Sequence, residues 1–220
     1  MSTEPAPVQD TAPERAVPLW ALFVLSGTGG LIVGIATMVA QGLLPDAAAW
    51  LANSGAVWSV AAFAAGAAGA AARPWACAVA GLLTQWCAVV GYYGFTSLLW
   101  LGAQDLWAPL VWMACGALAG PLFGLAGAVW RNRDGWWRAG AVALLGAVLA
   151  AEGVFKLVNW EHFTHMLGTA WTQALLGLAV PLLFGGRGWA DRARTLAVFA
   201  VLVPLGLGFF VLADLAVAAS

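Results

Sequence analysis

Seven long apolar stretches, almost free of charge, leave this 220-residue chain only one solvent in which to fold. An α-helix needs about 20 apolar residues to cross roughly 30 Å of hydrocarbon. The qualifying stretches run from about Pro18–Leu44, Ser54–Ala72, Pro74–Leu98, Leu106–Trp130, Arg138–Trp160, Thr164–Phe184 and Thr195–Val217. Hydrophobic residues make up 63% of the chain and charged ones 9%, against about 45–50% and 25% in soluble domains. The predicted fold is therefore all-α: a polytopic transmembrane bundle of about seven spans over residues 18–217. Turn chemistry marks its breaks, at Leu44-Pro45-Asp46, Arg73-Pro74, Arg133-Asp134-Gly135 and Gly185-Gly186-Arg187. The segment Pro45–Asn53 is too short to cross and is expected in the outer interface, with Asn53 or Ser54 capping the second helix.

Residues 1–17 differ from the rest. They are rich in Pro, Ala and acidic residues, have no apolar period, and read as a disordered cytoplasmic tail. Glu4, Asp10 and Glu14 face a single Arg15, which is not the basic start of a cleaved signal peptide. The first span is expected to stay as an anchor.

Direction follows from the basic residues. Arg15, Arg73, the trio Arg131, Arg133 and Arg138, and the trio Arg187, Arg192 and Arg194 fall on one side of a seven-span path. The opposite side carries Asp46, Asp105, Glu161 and the end near Asp214, with no arginine. Arginine-rich loops stay in the cytoplasm, so the N-terminus is predicted inside and the C-terminus outside. Much Ala and Gly, with one lysine against eight arginines, points to a GC-rich bacterial genome and hence to a multi-pass protein of the bacterial cytoplasmic membrane. The arrangement also reads as one helix followed by three hairpins, each turning at an inner arginine near a Trp. Trp58 precedes Gly66 and Trp112 precedes Gly120 at the same spacing, while Trp171 and Gly177 fit less well.

Small residues and polar residues separate by depth. Gly30-x3-Gly34, the run from Ala61 to Ala72 and Gly116-x3-Gly120-x3-Gly124 allow close backbone approach in the inner halves of the spans. Polar groups gather from mid-depth outward: Gln85 near the middle, then Asn53, Tyr92, Glu152, Lys156, Asn159, His165, Thr169 and Gln173. That asymmetry predicts a bundle sealed on the cytoplasmic side, with an outward-facing polar pocket as the candidate ligand-binding site. Glu152 and Lys156 carry most of the argument. A charge near a helix centre costs about 2.5–3.5 kcal/mol on insertion scales and seldom sits there without a role. Their i, i+4 spacing in Glu-before-Lys order also fits mutual neutralisation within one helix. With the sixth span running antiparallel, Lys156 is expected opposite His165 or Thr169, and Glu152 opposite Thr172 or Gln173.

Other chemistry is thin. His162, His165 and the neighbouring Glu161 give a weak metal-ligand pattern lacking a clear third ligand, so no metal or cofactor is assigned. Cys77, Cys87 and Cys115 fall within spans and read as small buried hydrophobes. No HExxH motif, GxSG-type serine or Walker-type loop is present, and no catalytic residue is assigned. Lys156 is not in the last span, where a retinal Schiff-base lysine would stand. A net charge of −1 gives no reason to expect a nucleic-acid partner.

The stretch from Leu51 to Trp58 (LANSGAVW), then Ala62-Phe63-Ala64-Ala65-Gly66, then Gly91-Tyr92-Tyr93, resembles a family of bacterial multi-spanning membrane proteins known only as a domain of unknown function. The resemblance covers mainly spans one to four. It implies no activity and carries over no functional residue, but it makes Asn53, Trp58 and Tyr92 worth testing.

Three functions follow as expectations. The first is a small permease-like or solute-binding membrane protein with a small-molecule or ion ligand, which needs a water-accessible path past Glu152. The second is a non-catalytic accessory subunit with a membrane-protein partner, which needs an apolar lipid-facing groove. The third is an intramembrane enzyme, which needs a titratable group within about 3 Å of a Ser, Cys or Asp. The lipid bilayer is a partner in all three.

Overall fold

The computed structural model describes residues 17–45, 48, 52, 54–100, 106–186 and 188–219. Asn53 and most of the predicted tail lie outside them. The described residues form seven α-helices and a short 3-10 turn: α1 (Leu19–Ala40), α2 (Gly55–Ala68), α3 (Pro74–Trp100), α4 (Trp107–Asn132), α5 (Gly135–Val158), α6 (Leu167–Phe184) and α7 (Trp189–Ala218), with the 3-10 turn Thr164–Met166 before α6. Six have the length and apolarity of a membrane crossing; α2, at 14 residues, does not reach that length. At 1.5 Å per residue α2 is about 21 Å long, roughly two-thirds of the hydrocarbon thickness. This is a multi-pass membrane bundle.

Packing shows that the seven helices alternate in direction. Gly30 and Gly34 of α1 lie against Thr84 and Ala88 of α3, so those two are parallel, which requires α2 to bring the chain back. Gly55 of α2 meets Trp112 of α4, and Asn132 at the end of α4 donates to the Ala70 carbonyl just past α2, so these two are also parallel. Phe199 of α7 lies near Gly146 of α5, and Phe210 stacks near Phe155, a third parallel pair. Between them α6 runs antiparallel, with Gly153 against Ala170 and Ala174, and Gly146 against Gly177.

Small residues set these distances. A Cβ added at Gly30, Gly34, Gly66, Gly120, Gly124 or Gly127 would strike the backbone of a neighbouring helix. Without a hydrophobic drive between helices in lipid, such close backbone contact is a main source of association. The predicted small-xxx-small patterns are thus the seams along which α1 meets α3, and α2 and α3 meet α4.

Ends and boundaries depart from expectation in physically readable ways. The last helix starts at Trp189, six residues early, because the segment around Asp191, Arg192 and Arg194 continues the helix, with Arg194 paired to Asp191 at 3.0 Å. At the start of α5, Gly135 adopts φ +63, a left-handed conformation that favours glycine, and so permits the tight entry from α4. At the far end, the Trp107 indole donates to the Ala216 carbonyl at 2.8 Å, tying α4 to α7.

Adjacent glycines of α1 provide a test. Gly30 faces the α3 backbone, whereas a Cβ at Gly29 meets nothing within 4 Å. Overpacking costs about 1–3 kcal/mol, and at this chain length each kcal/mol moves Tm by about 2–4 °C. Gly30→Val should therefore melt several degrees lower in detergent than the parent, and Gly29→Val close to it.

Candidate functional site

The first N–H groups of any helix lack intrahelical partners, and in α2 they open inside the bundle rather than at its surface. Ser54, the residue before the helix, is extended (φ −130, ψ 119), and its Oγ accepts from the Val57 N–H at 3.2 Å. The Ala56 N–H donates to Glu152 Oε2 of α5 at 2.9 Å. Glu152 precedes the end of α5 by six residues, which puts the start of α2 about 9 Å below the end of α5. Ala52, two residues before Ser54, is 2% exposed; most of the expected interfacial segment 45–53 lies outside the described residues.

Four side chains close a circuit at this point. Ser54 Oγ donates to Glu152 Oε2 at 2.8 Å. Lys156 Nζ donates to Glu152 Oε1 at 2.9 Å and to Gln173 Oε1 of α6 at 3.0 Å. Gln173 Nε2 donates back to Ser54 Oγ at 3.2 Å. Exposure is 2% for Ser54, 4% for Glu152, 6% for Lys156 and 0% for Gln173, so every member is desolvated and hydrogen-bonded. The carboxylate also faces the positive end of the α2 dipole, and Lys156 lies in the last turn of α5, where a cation is favoured.

Every polar atom of the circuit has a partner, and Ser54 uses all of its capacity. Ser54 stands within reach of a carboxylate, the distance an enzyme would need. However, its hydroxyl hydrogen goes to Glu152, and its lone pairs receive the Val57 N–H and the Gln173 amide, so no electron pair remains for nucleophilic attack.

The other expected site residues go elsewhere. Thr169 is fully buried on α6, and Asn159 Nδ2 donates to the Phe155 carbonyl at 2.9 Å, closing the end of α5. His165 sits on the exposed 3-10 turn rather than on the inner face of α6. Tyr92 Oη meets Gln41 Oε1 at 3.1 Å, and its ring packs edge-on to Trp58. Among the described residues, no three His, Cys, Asp or Glu side chains come together as metal ligands. Gln173 was expected opposite Glu152 but bonds Lys156, because Glu152 turns to α2. Ser54 entered the sequence reading only as a possible cap; its place in the circuit depends on α2 being short.

A cavity of about 330 Å³ lies on the other side of Gly55, among α2, α3, α4, α5 and α7. Its inner wall includes Trp58, Ser59, Gln85, Trp112 and Gly116, and its floor Leu144, Ala147 and Val148 of α5. Its mouth is flanked by Leu118 and Leu122 of α4 and Leu205 of α7, which are 69%, 51% and 65% exposed at mid-helix, where the surface faces lipid. None of Glu152, Lys156 and Gln173 lines it.

The chain belongs to a family of unknown function, DUF6518, whose family model matches residues 13–216. No curated protein and no solved structure matches it.

Removing one partner of a buried ion pair costs about 3–5 kcal/mol, because the other charge is left uncompensated. Glu152→Gln alone should therefore lower the thermal midpoint by about 6–20 °C at this chain length. Glu152→Gln with Lys156→Met should recover at least half of that loss, read by thermal unfolding in the same detergent.

Proposed function

We propose that this DUF6518 member is a non-catalytic, solute-binding protein of the bacterial cytoplasmic membrane, and that its solutes are lipid-soluble molecules entering the lateral cavity from the bilayer. The observation that carries this reading is the cavity: its volume is in the range of small-molecule sites, its walls are apolar, and its mouth lies among exposed mid-helix leucines. Glu152 and Lys156 then serve as the fixed end of α2 rather than as ligand contacts. Their hydrogen-bonded circuit holds Ser54, and with it the neighbouring Gly55 on the cavity wall. The eight arginines support an N-in, C-out orientation, which places the circuit toward the periplasmic face.

A hexadecyl chain with a photoreactive diazirine at its tip tests the reading. In nanodiscs it should label Leu144 and Val148, deep in the cavity, in a manner that saturates and is competed by unlabelled chain. Ala119→Trp, which puts a large ring on the cavity wall, should abolish those labels while leaving Leu118 and Leu122 labelled. Labelling confined to the lipid-facing leucines of the unmodified protein would refute it.

A further inference from the structure

Two polar groups in the cavity wall have unused hydrogen-bonding capacity. The Trp58 indole Nε1 is buried and has no hydrogen-bond partner among the described residues, although the side chain is only 7% exposed. Tyrosine and tryptophan usually find such a partner when buried, and an unpaired buried donor costs about 1–3 kcal/mol. Gln85, 4% exposed, uses its Nε2 only for a long 3.5 Å contact with Ser59 Oγ; its carbonyl end has no donor among the described residues. Both side chains line the cavity. The Ser59 hydroxyl donates to the Gly55 carbonyl at 2.9 Å and accepts the long Gln85 contact.

Depth and shape narrow what could accept from the Trp58 N–H and from the spare Gln85 amide hydrogen. Trp58 lies one turn further along α2 than Gly55, near the level of Val148, about 15 Å below the end of α5 and close to the middle of the bilayer. A charged headgroup is disfavoured there. Trp58 and Trp112 pack edge-on at 6.3 Å, and Phe123, Phe209 and Phe210 complete an aromatic lining suited to a flat ring. The leucine-flanked mouth leaves a way out for an alkyl or prenyl tail.

We infer that the cavity selects a neutral, lipid-soluble ring compound bearing a carbonyl, of the quinone class, with the Gln85 amide and the Trp58 N–H as its hydrogen-bond partners. This rests on the cavity reading proposed above. Gln85 stands at the cavity surface and meets the carbonyl first, donating through its Nε2 in place of the long Ser59 contact. The Trp58 N–H lies behind the surface and is reached as the ring presses into the wall. Binding is the whole of the assignment; no electron or proton transfer is part of it.

The test uses the full chain in nanodiscs, labelled with 5-fluorotryptophan, with the Trp58 resonance identified by Trp58→Phe. Decyl-benzoquinone should shift that resonance saturably, whereas decylbenzene, which has the tail and a ring but no carbonyl, should bind more weakly and leave it near its starting position. Gln85→Leu should weaken the quinone by about three- to tenfold, the range of one neutral hydrogen bond. If both compounds bind equally and move Trp58 alike, the hydrogen-bond assignment falls while the cavity reading stands. If neither moves Trp58 or Trp112, both fall. The ligand comparison is made on the unmodified protein, so it decides the matter even where a variant fails to fold.

Discussion

The end of the bundle that holds Glu152 is arranged around a helix that begins too deep. A helix opening at the membrane surface leaves its first N–H groups to water; α2 opens about 9 Å below the end of α5, where lipid offers no acceptor. Glu152 meets that demand with one oxygen, taking both the Ala56 N–H and the Ser54 hydroxyl. Its charge then needs an answer, which Lys156 supplies from one turn away, and Gln173 takes up a further ammonium hydrogen. Read in this order, the only lysine of the chain is a consequence of a short helix. The ion pair, which alone would be weak evidence for stability, has a definite task.

The same short helix determines where space is left. Since α2 is held at its start by α5 and α6, and along its length by the glycines of α4, it cannot slide to fill the region beside Trp58. Close backbone contact on the α1, α3 and α4 side contrasts with the gap toward α7, where side chains rather than backbones border the cavity. Tight seams and an open lateral cavity are thus two results of one distribution of small residues.

The sequence made the helical membrane architecture legible because hydrophobic length is a property of single segments. Six of the seven stretches became full-length helices, with ends shifted by up to six residues, and the glycine patterns became packing seams. The polar site was only partly legible. Helical periodicity and an antiparallel turn bring Glu152, Lys156 and the inner face of α6 together, but they pair Gln173 with Glu152, whereas Gln173 bonds Lys156. Ser54 was not joined to them, because its partnership spans 98 positions and depends on where α2 ends in depth, which periodicity does not encode. The cavity was illegible for a similar reason. Trp58, Trp112 and Phe210 come from three different helices, and no spacing in one helix announces a space between three.

The distance along the chain between Ser54 and Glu152 also bears on how the protein is made. At about 5–20 residues per second, the 98 intervening positions take roughly 5–20 s to synthesise. Throughout that interval the first turn of α2 exists while the carboxylate that will close it is not yet made. During its birth the second helix therefore depends on a temporary host, the insertion machinery or a water-filled margin of it. It settles at its final depth only once the fifth and sixth helices arrive.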